Sequence, residues 1–298
     1  MILRRWAERE GWKILEPPPL QALLATESDW LDTVMTADQY WLLPDLEHYF
    51  LRHIDGLQLV RKLLDQAFAG SLGRGIIACN SWAWAFLLHI RQGYTPVPCV
   101  LQSFDHERLA RHFQNLHQQK SGHYVFRQSD DGSYLMPLSE EEKARRQEQG
   151  KTVEQSHFLQ NLAAYSQGIP GVARALWRAN LQFQPDQELD EAEPMRMTTR
   201  IRSVVVPWSK IRYARMPTAA DSHYAFILHS LLLHGGLTLE GLHALELPLV
   251  SAKVVEMLMD LEQAEIICKT GQHWQVTPQA YPIVRDFLAA KNLLLDHF

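Results

Sequence analysis

The chain has 298 residues, of which 46% are hydrophobic and 21% are charged, and its formal net charge is -5. It is long enough for two domains with substantial cores, and its negative charge argues against binding of nucleic acid by the surface as a whole. Three widely spaced cysteines indicate a reducing cytoplasmic environment without a disulfide framework. The longest apolar run, WAWAFLLHI, is far shorter than the roughly 20 residues of a membrane-spanning helix.

Helix and strand patterns alternate up to about residue 115. Asp55 and Asp105 are predicted to start two of the helices. Strand–helix alternation of this kind predicts a mainly parallel sheet with helices on both faces. In chain order the predicted helices are MILRRWAEREG, LQALLATESDWLDTVMT, DGLQLVRKLLDQAF, SWAWAFLLHIRQ and DHERLARHFQNLH, and the predicted strands are WKILEP, QYWLL, RGIIAC and VPCVLQSF.

Three further regions are predicted in the rest of the chain: a helical region, a hairpin or linker, and a winged helix. The polar SEEEKARRQEQG is read as a solvated helix or a loop, and two helices separated by Gly-Ile-Pro-Gly follow it. An acidic stretch then precedes the basic MRMTTRIRSVVVPWSKIRYARM, which we read as a hairpin or linker. From Ser222 onwards, three helices, with starts predicted at Thr238 and Ser251 for the second and third, a β-hairpin and a closing helix predict a winged helix.

Polar residues follow two of the predicted strands. In QYWLLPDLEHYF, Asp45 is a candidate ligand for Mg²⁺, and Glu47 is a candidate for polarising an attacking water. The alternative for Asp45 is a helix cap. RGIIAC is followed by Asn80, which could sense a terminal phosphate or hold the attacking water. The alternative for Asn80 is the N-cap of the next helix.

Two arginines are candidates for binding phosphate. Arg174, in SQGIPGVARALWRANL, falls close to a helix start, where the helix dipole opposes a cation and a bound phosphate would remove the conflict. The alternative is an ordinary exposed arginine, and Arg178 is a weaker candidate. Arg52 falls in a predicted exposed turn, from which it could reach the nucleotide of a neighbouring subunit. The alternative is that Arg52 is an ordinary surface arginine without a role in binding.

The order of these features resembles that of an AAA+/STAND-type P-loop ATPase. The resemblance runs over most of the chain and implies a P-loop NTPase-like α/β core, a helical lid and a C-terminal winged helix, with ATP and Mg²⁺ as cofactors. By this resemblance Asp45 and Glu47 match the Walker B position, Asn80 the first sensor and Arg174 the second sensor. The implied domains are 1–118 (incomplete core), 119–183 (lid), 184–220 (linker or hairpin) and 221–298 (winged helix).

One element of that family is absent from the sequence. No G-x-x-x-x-G-K-[ST] motif occurs, and in the family that loop directly precedes a helix resembling ILRRWAERE. We therefore expect the first strand and the phosphate loop to lie upstream of Met1, or to have been lost. Backbone N–H groups of such a loop and its lysine supply most of the phosphate contacts. We expect this chain to bind ATP poorly and to hydrolyse it negligibly.

The predicted winged helix is not basic enough to favour DNA. Its candidate recognition helix, SAKVVEMLMDLEQAE, has one lysine against four acidic residues, which phosphates would repel. We expect a protein partner, with nucleic acid not favoured and a homo-oligomer left open. The first functional hypothesis is a regulatory or signalling ATPase module that works as a nucleotide-dependent switch. The second is a non-catalytic scaffold or winged-helix transcriptional regulator.

Overall fold

The chain is a mixed α/β protein that divides into two compact units. The first unit combines Met1–Val100 with Ala214–Phe298, and the second unit is Leu101–Tyr213. The first unit therefore holds most of the predicted core together with the predicted C-terminal domain. The computed structural model describes residues 2–25, 30–34, 40–91, 95–118, 124–138, 140–148, 150, 154–183, 201–247, 249–294 and 296.

A small parallel sheet lies in the first unit. Its strands are β1 (Lys13–Ile14), β2 (Trp41–Leu43) and β3 (Gly75–Ile77), hydrogen-bonded in that order. All three residues of β2 are buried, as expected for the central strand of a parallel sheet. The registers pair Trp41 with Gly75, and a Cβ on Gly75 would lie 2.1 Å from the indole ring. The prediction of a parallel sheet is confirmed.

The prediction of a fourth strand, VPCVLQSF, is wrong. Residues 95–105 form no regular structure, and the side chains of Val97 and Leu101 are 94% and 95% exposed. A β-strand needs a hydrogen-bonded neighbour, and no described strand pairs with this segment. Its apolar sequence therefore does not suffice to make it a strand.

The helices before residue 100 largely follow their predicted positions. LQALLATESDWLDTVMT contains two short helices, and residues 26–29 between them lie outside the described residues. Asp55 does not start the long helix as predicted. It begins a 3₁₀ turn, Asp55–Leu57, and the helix begins at Gln58 without a side-chain cap. The helices are α1 (Ile2–Arg9), α2 (Leu20–Leu24), α3 (Trp30–Val34), α4 (Gln58–Phe68) and α5 (Ser81–Ile90).

The second unit has its own mixed sheet and an aromatic core. The ring of Trp177 contacts those of Phe113, Phe126 and Phe158, with centroids 4.9, 5.2 and 5.9 Å away. Asp105 caps the first helix by accepting a hydrogen bond from the backbone of Arg108, as predicted. The elements are α6 (His106–Gln118), β4 (Tyr124–Gln128), α7 (Glu140–Glu148), α8 (Phe158–Tyr165), α9 (Pro170–Ala179), β5 (Leu181–Phe183) and β6 (Ile201–Val205).

Strand β6 lies between β4, which is parallel to it, and β5, which is antiparallel to it. The basic segment read as a hairpin or linker therefore contributes a central strand to this sheet. The acidic stretch at 186–193 lies outside the described residues. The solvated helix predicted in SEEEKARRQEQG is confirmed as α7, and the two helices around Gly-Ile-Pro-Gly are confirmed as α8 and α9.

The C-terminal segment, residues 221–296, has the predicted order of helices, hairpin and closing helix. Thr238 caps its second helix by accepting a hydrogen bond from the backbone of Gly241, and the third helix begins at Ser251, both as predicted. Three antiparallel strands form its sheet in the order β7-β9-β8. The elements are α10 (Ser222–Leu233), β7 (Leu237–Thr238), α11 (Leu239–His243), α12 (Ser251–Gln263), β8 (Ile267–Thr270), β9 (His273–Val276) and α13 (Tyr281–Ala290).

The first unit has two apolar clusters, one around the parallel sheet and one in the C-terminal segment. Each cluster includes side chains that come from the other part. Leu233, at the end of α10, is buried in the cluster around the sheet. Leu51 and Trp82, from the sheet side, are buried in the cluster of the C-terminal segment. Fully burying a side chain of this size stabilises the fold by about 1.5–3 kcal/mol. The C-terminal segment is thus held against the sheet by shared apolar core.

Candidate functional site

The carboxyl edge of the parallel sheet brings several predicted residues together. The segments after β2 and β3 stay adjacent because the backbone of Ala78 donates to Leu43 O at 2.8 Å and accepts from Leu46 N at 2.9 Å. A 3₁₀ turn, Leu46–His48, then carries Glu47, and Asn80 directly precedes α5. The polar ends of both strands therefore lie at one edge, as parallel pairing requires.

Glu47 is half-buried beside Asn80 at this edge. The backbone N–H of Asn80 donates a 3.0 Å hydrogen bond to Glu47 Oε2. Burial raises the pKa of Glu47, and the nearby charge of Asp45 adds to that increase. A carboxyl group in this setting takes up a proton more readily than one in water. The structure therefore brings Glu47 and Asn80 into direct contact.

Asn80 joins the sheet edge to α10 through its side chain. Its Oδ1 accepts a 2.6 Å hydrogen bond from Ala83 N, which confirms the alternative reading of Asn80 as an N-cap. Its Nδ2 donates to the backbone carbonyls of Leu232 and Leu233, at 3.3 and 3.4 Å. The last carbonyls of a helix lack regular partners within the helix, and this amide supplements the bond that Leu232 O accepts from Gly235 N.

His234 makes the second connection between α10 and the sheet edge. Its Nδ1 lies 3.2 Å from the backbone carbonyl of Glu47, and its Nε2 lies 3.3 Å from the backbone N–H of Arg52. A carbonyl only accepts and an N–H only donates, so His234 is neutral and carries its proton on Nδ1. Burial lowers its pKa to about 4.

Arg52 lies against α10 of its own chain rather than projecting from an exposed turn. Its Nη1 is 3.3 Å from His229 Nδ1, and His229 Nε2 is 3.1 Å from the carbonyl of Leu294. A guanidinium can only donate, so His229 is neutral with its proton on Nε2. Burial, followed by the charge of Arg52, lowers the pKa of His229 to about 4. The role of Arg52 toward a neighbouring subunit stays a prediction.

Asp45 has a partner of its own. Its Oδ2 forms a 3.1 Å ion pair with Arg4 Nη2, and Arg4 also binds Glu16 at 3.0 Å. The Asp45 side chain is 40% exposed and makes no cap hydrogen bond to the following turn. Asp45 thus stands at the N-cap position between β2 and the 3₁₀ turn, as in the alternative reading, but its carboxylate turns toward the cation on α1 instead of capping the turn.

Arg174 belongs to the second unit. Pro170 is the first residue of α9, so Arg174 lies close to the helix start, as predicted. Its side chain is exposed, and so is that of Arg178. The two arginines thus match the alternative reading of exposed surface, and their role toward phosphate stays a prediction.

The residues at the sheet edge can be tested for their fit to Mg²⁺ and ATP. The carboxylates of Asp45 and Glu47 are bonded to different protein donors, Arg4 and the Asn80 N–H, so this arrangement does not present them jointly to a metal ion. Within the described ranges, no three His, Cys, Asp or Glu side chains are grouped to hold a metal. The nucleotide roles of these residues stay predictions, and we derive no catalytic step through ATP.

Comparisons with protein-family models, with curated proteins and with solved structures found no match to this chain. In the part of the chain that the structure describes, no helix has the length and apolar character needed to cross a membrane.

Sequence reasoning missed two buried histidines, His229 on α10 and His234 directly after it. They lie within and at the end of the apolar run YAFILHSLLLH, and both are almost completely buried. A polar ring inside such a run indicates a buried hydrogen-bonding role, and this signal could have found them. The partner of Asp45, Arg4, carried no comparable signal because it lies 41 residues away in sequence.

Proposed function

We propose that this chain is a regulatory module of the AAA+/STAND kind, in which the C-terminal segment acts as a switch that closes on the carboxyl edge of the parallel sheet. The proposed module works in the cytoplasm and passes its state to a protein partner. ATP and Mg²⁺ are the cofactors that the resemblance implies.

The hydrogen bonds between Asn80 and the end of α10 are the single observation that carries this proposal. The residue proposed to sense nucleotide donates its side-chain amide to Leu232 and Leu233 carbonyls. A phosphate contact by the same amide would have to replace these bonds. Occupation of the sheet edge by nucleotide and closure of the C-terminal segment would then compete, and such competition is the basis of a two-state switch.

The element order of the C-terminal segment supports a winged-helix reading. Three helices precede a β-hairpin, and one helix follows it. On α12, Lys253 is paired with Glu256 at 2.8 Å, and the exposed Glu262 adds further negative charge. A helix of this charge would repel DNA phosphates. The proposed partner is therefore a protein, and a second copy of the chain remains open as that partner.

A titration with Mg-ATP tests the switch. His234→Ala removes two contacts between α10 and the sheet edge without altering Asp45, Glu47 or Asn80, and His243→Ala is a matched control on exposed surface. We expect weak binding to the wild-type chain and to the control, at least about tenfold tighter binding to His234→Ala, and faster hydrogen exchange in α10. Equal affinities in all three proteins would refute competition between closure and nucleotide.

A second function, a non-catalytic scaffold or winged-helix regulator, is favoured by a different observation. Glu47 accepts a hydrogen bond from Asn80 N–H, and Asn80 Oδ1 accepts one from Ala83 N, so both side chains have structural roles at the start of α5. In this reading the ATPase-like residues serve packing alone. Absence of Mg-ATP binding in His234→Ala, together with intact binding of a protein partner, would favour the scaffold over the switch.

A further inference from the structure

A cavity of about 210 Å³ opens beside Arg52 in the first unit. Phe226 and Ser230, one turn apart on α10, form one wall. The segment after α11 forms the other wall. Its members are Leu245, Glu246 and Leu247. The cavity thus combines one guanidinium, one hydroxyl and one rim carboxylate with an otherwise apolar lining.

The structure pairs the charge of Arg52 with a neutral ring. In the part of the chain that the structure describes, its side-chain partner is His229, whose Nδ1 accepts as a neutral ring nitrogen. Among the described residues, Arg52 forms no ion pair with a carboxylate, and burial lowers its pKa. A partly buried cation without an anionic partner is costly, and a bound anion would remove that cost.

Glu246 does not supply the missing partner. Its Oε2 lies 3.5 Å from His53 Nε2, and its side chain is 79% exposed. It therefore sits at the mouth of the cavity and faces His53. A negative charge at the mouth disfavours a ligand that carries more than one negative charge.

We propose that this cavity binds a small monocarboxylic acid, with its carboxylate on the guanidinium of Arg52 and its apolar chain against Phe226, Leu245 and Leu247. Arginine presents paired N–H donors that match the two oxygens of a carboxylate. The apolar walls complement a hydrocarbon chain, as is typical of small-molecule sites with few polar groups.

Phosphate fits this cavity less well. It carries about two negative charges near neutral pH and needs several donors, whereas the cavity offers one guanidinium and an opposing carboxylate at its mouth. The cavity is open to solvent, so its volume sets the size of the enclosed part of a ligand. At roughly 30 Å³ per water, 210 Å³ corresponds to about seven water molecules, which suits a straight-chain acid such as pentanoate.

Calorimetric titration with sodium pentanoate tests the proposal, with neutral pentanamide and sodium phosphate as comparison ligands. We expect saturable binding of pentanoate, at least about tenfold weaker binding of pentanamide, and no stronger binding of phosphate. Comparing these ligands on the wild-type chain requires no substitution, so the test holds even if a variant fails to fold. Failure of pentanoate to bind, equal binding of pentanamide, or a preference for phosphate would each overturn the proposal.

Substitutions then locate the site. Arg52→Gln should weaken pentanoate binding at least about tenfold, because it removes the charge that holds the carboxylate. Glu246→Gln should strengthen binding a few-fold, because it removes the repelling charge at the mouth. Arg61→Gln, on the exposed face of α4, is the matched control and should leave binding unchanged. Equal loss in Arg52→Gln and Arg61→Gln would overturn the assignment. The measurements use no nucleotide, so failure of the nucleotide switch would leave their outcome unaffected.

Discussion

Acidification should loosen the attachment of α10 through two buried histidines, one on the helix and one directly after it. In the folded chain the pKa values of His229 and His234 are lowered to about 4, below the usual 6.5, chiefly because burial penalises the charged ring. Between pH 6.5 and 4, the unfolded chain binds protons that the folded chain does not. Stability is therefore complete above this window and is lost as the pH falls through it.

The size of the effect follows from those pKa values. At about pH 5, linkage gives a loss of about 2 kcal/mol for each histidine relative to about pH 7.5, and about 4 kcal/mol for both. Glu47 acts in the opposite direction, since burial raises its pKa and the folded chain holds its proton more tightly. A variant that replaces His229 separates the contribution of this histidine from those of His234 and Glu47.

Hydrogen exchange of peptides from α10, followed by mass spectrometry at increasing urea concentrations, is a suitable assay. Tryptophan fluorescence would mix signals from both units, because Trp82 lies in the first unit and Trp177 in the second. His229→Asn keeps an oxygen acceptor for Arg52 but does not titrate. His243→Asn, at an exposed position, is the matched control.

After correction for the intrinsic pH dependence of exchange, the free energy of opening α10 should fall in the wild-type chain by about 4 kcal/mol, less the opposing contribution of Glu47. The control should lose the same amount as the wild-type chain, and His229→Asn should lose about 2 kcal/mol less. If His229→Asn lost as much as the wild-type chain, the buried neutral state of His229 would not be the cause, and the reasoning would fail.

Three further sets of variants test contacts within the first unit, and urea unfolding measures their stability. Gly75→Ala should cost about 2 kcal/mol or more, because its Cβ would lie 2.1 Å from an indole ring, whereas Gly171→Ala meets no atom within 4 Å and should be neutral or stabilising. Equal effects would contradict the close contact. Asn80→Ala should cost about 2–3 kcal/mol by removing a cap and the amide donor to α10, and Asn80→Asp should recover only the cap. No difference between these two variants would argue against the amide contact. A double-mutant cycle of Arg4→Gln and Asp45→Asn should give a coupling of at most about 1 kcal/mol, since both side chains are partly exposed. A coupling several times larger would show that water screens the pair less than its exposure suggests.

Local sequence determined much of the secondary structure. The buried β2, the parallel sheet and the caps formed by Asp105 and Thr238 follow from apolar patterns and from side chains that reach backbone groups three residues away. Asn80 shows the limit of this reasoning. Its cap to Ala83 was an expected alternative, but its bonds to carbonyls of α10 were not.

Contacts between distant parts of the chain decided the rest. Arg4 and Asp45 are 41 residues apart, and Glu47 and His234 are 187 residues apart. Short-range patterns carry no information about such pairs, because burial and hydrogen-bond partners arise only when the elements come together. The same reason explains VPCVLQSF, whose apolar sequence suits a strand but whose backbone pairs with none of the strands in the described ranges. Sequence alone indicated which residues were polar at the sheet edge, and tertiary packing decided that Glu47 and Asn80 join α10 there.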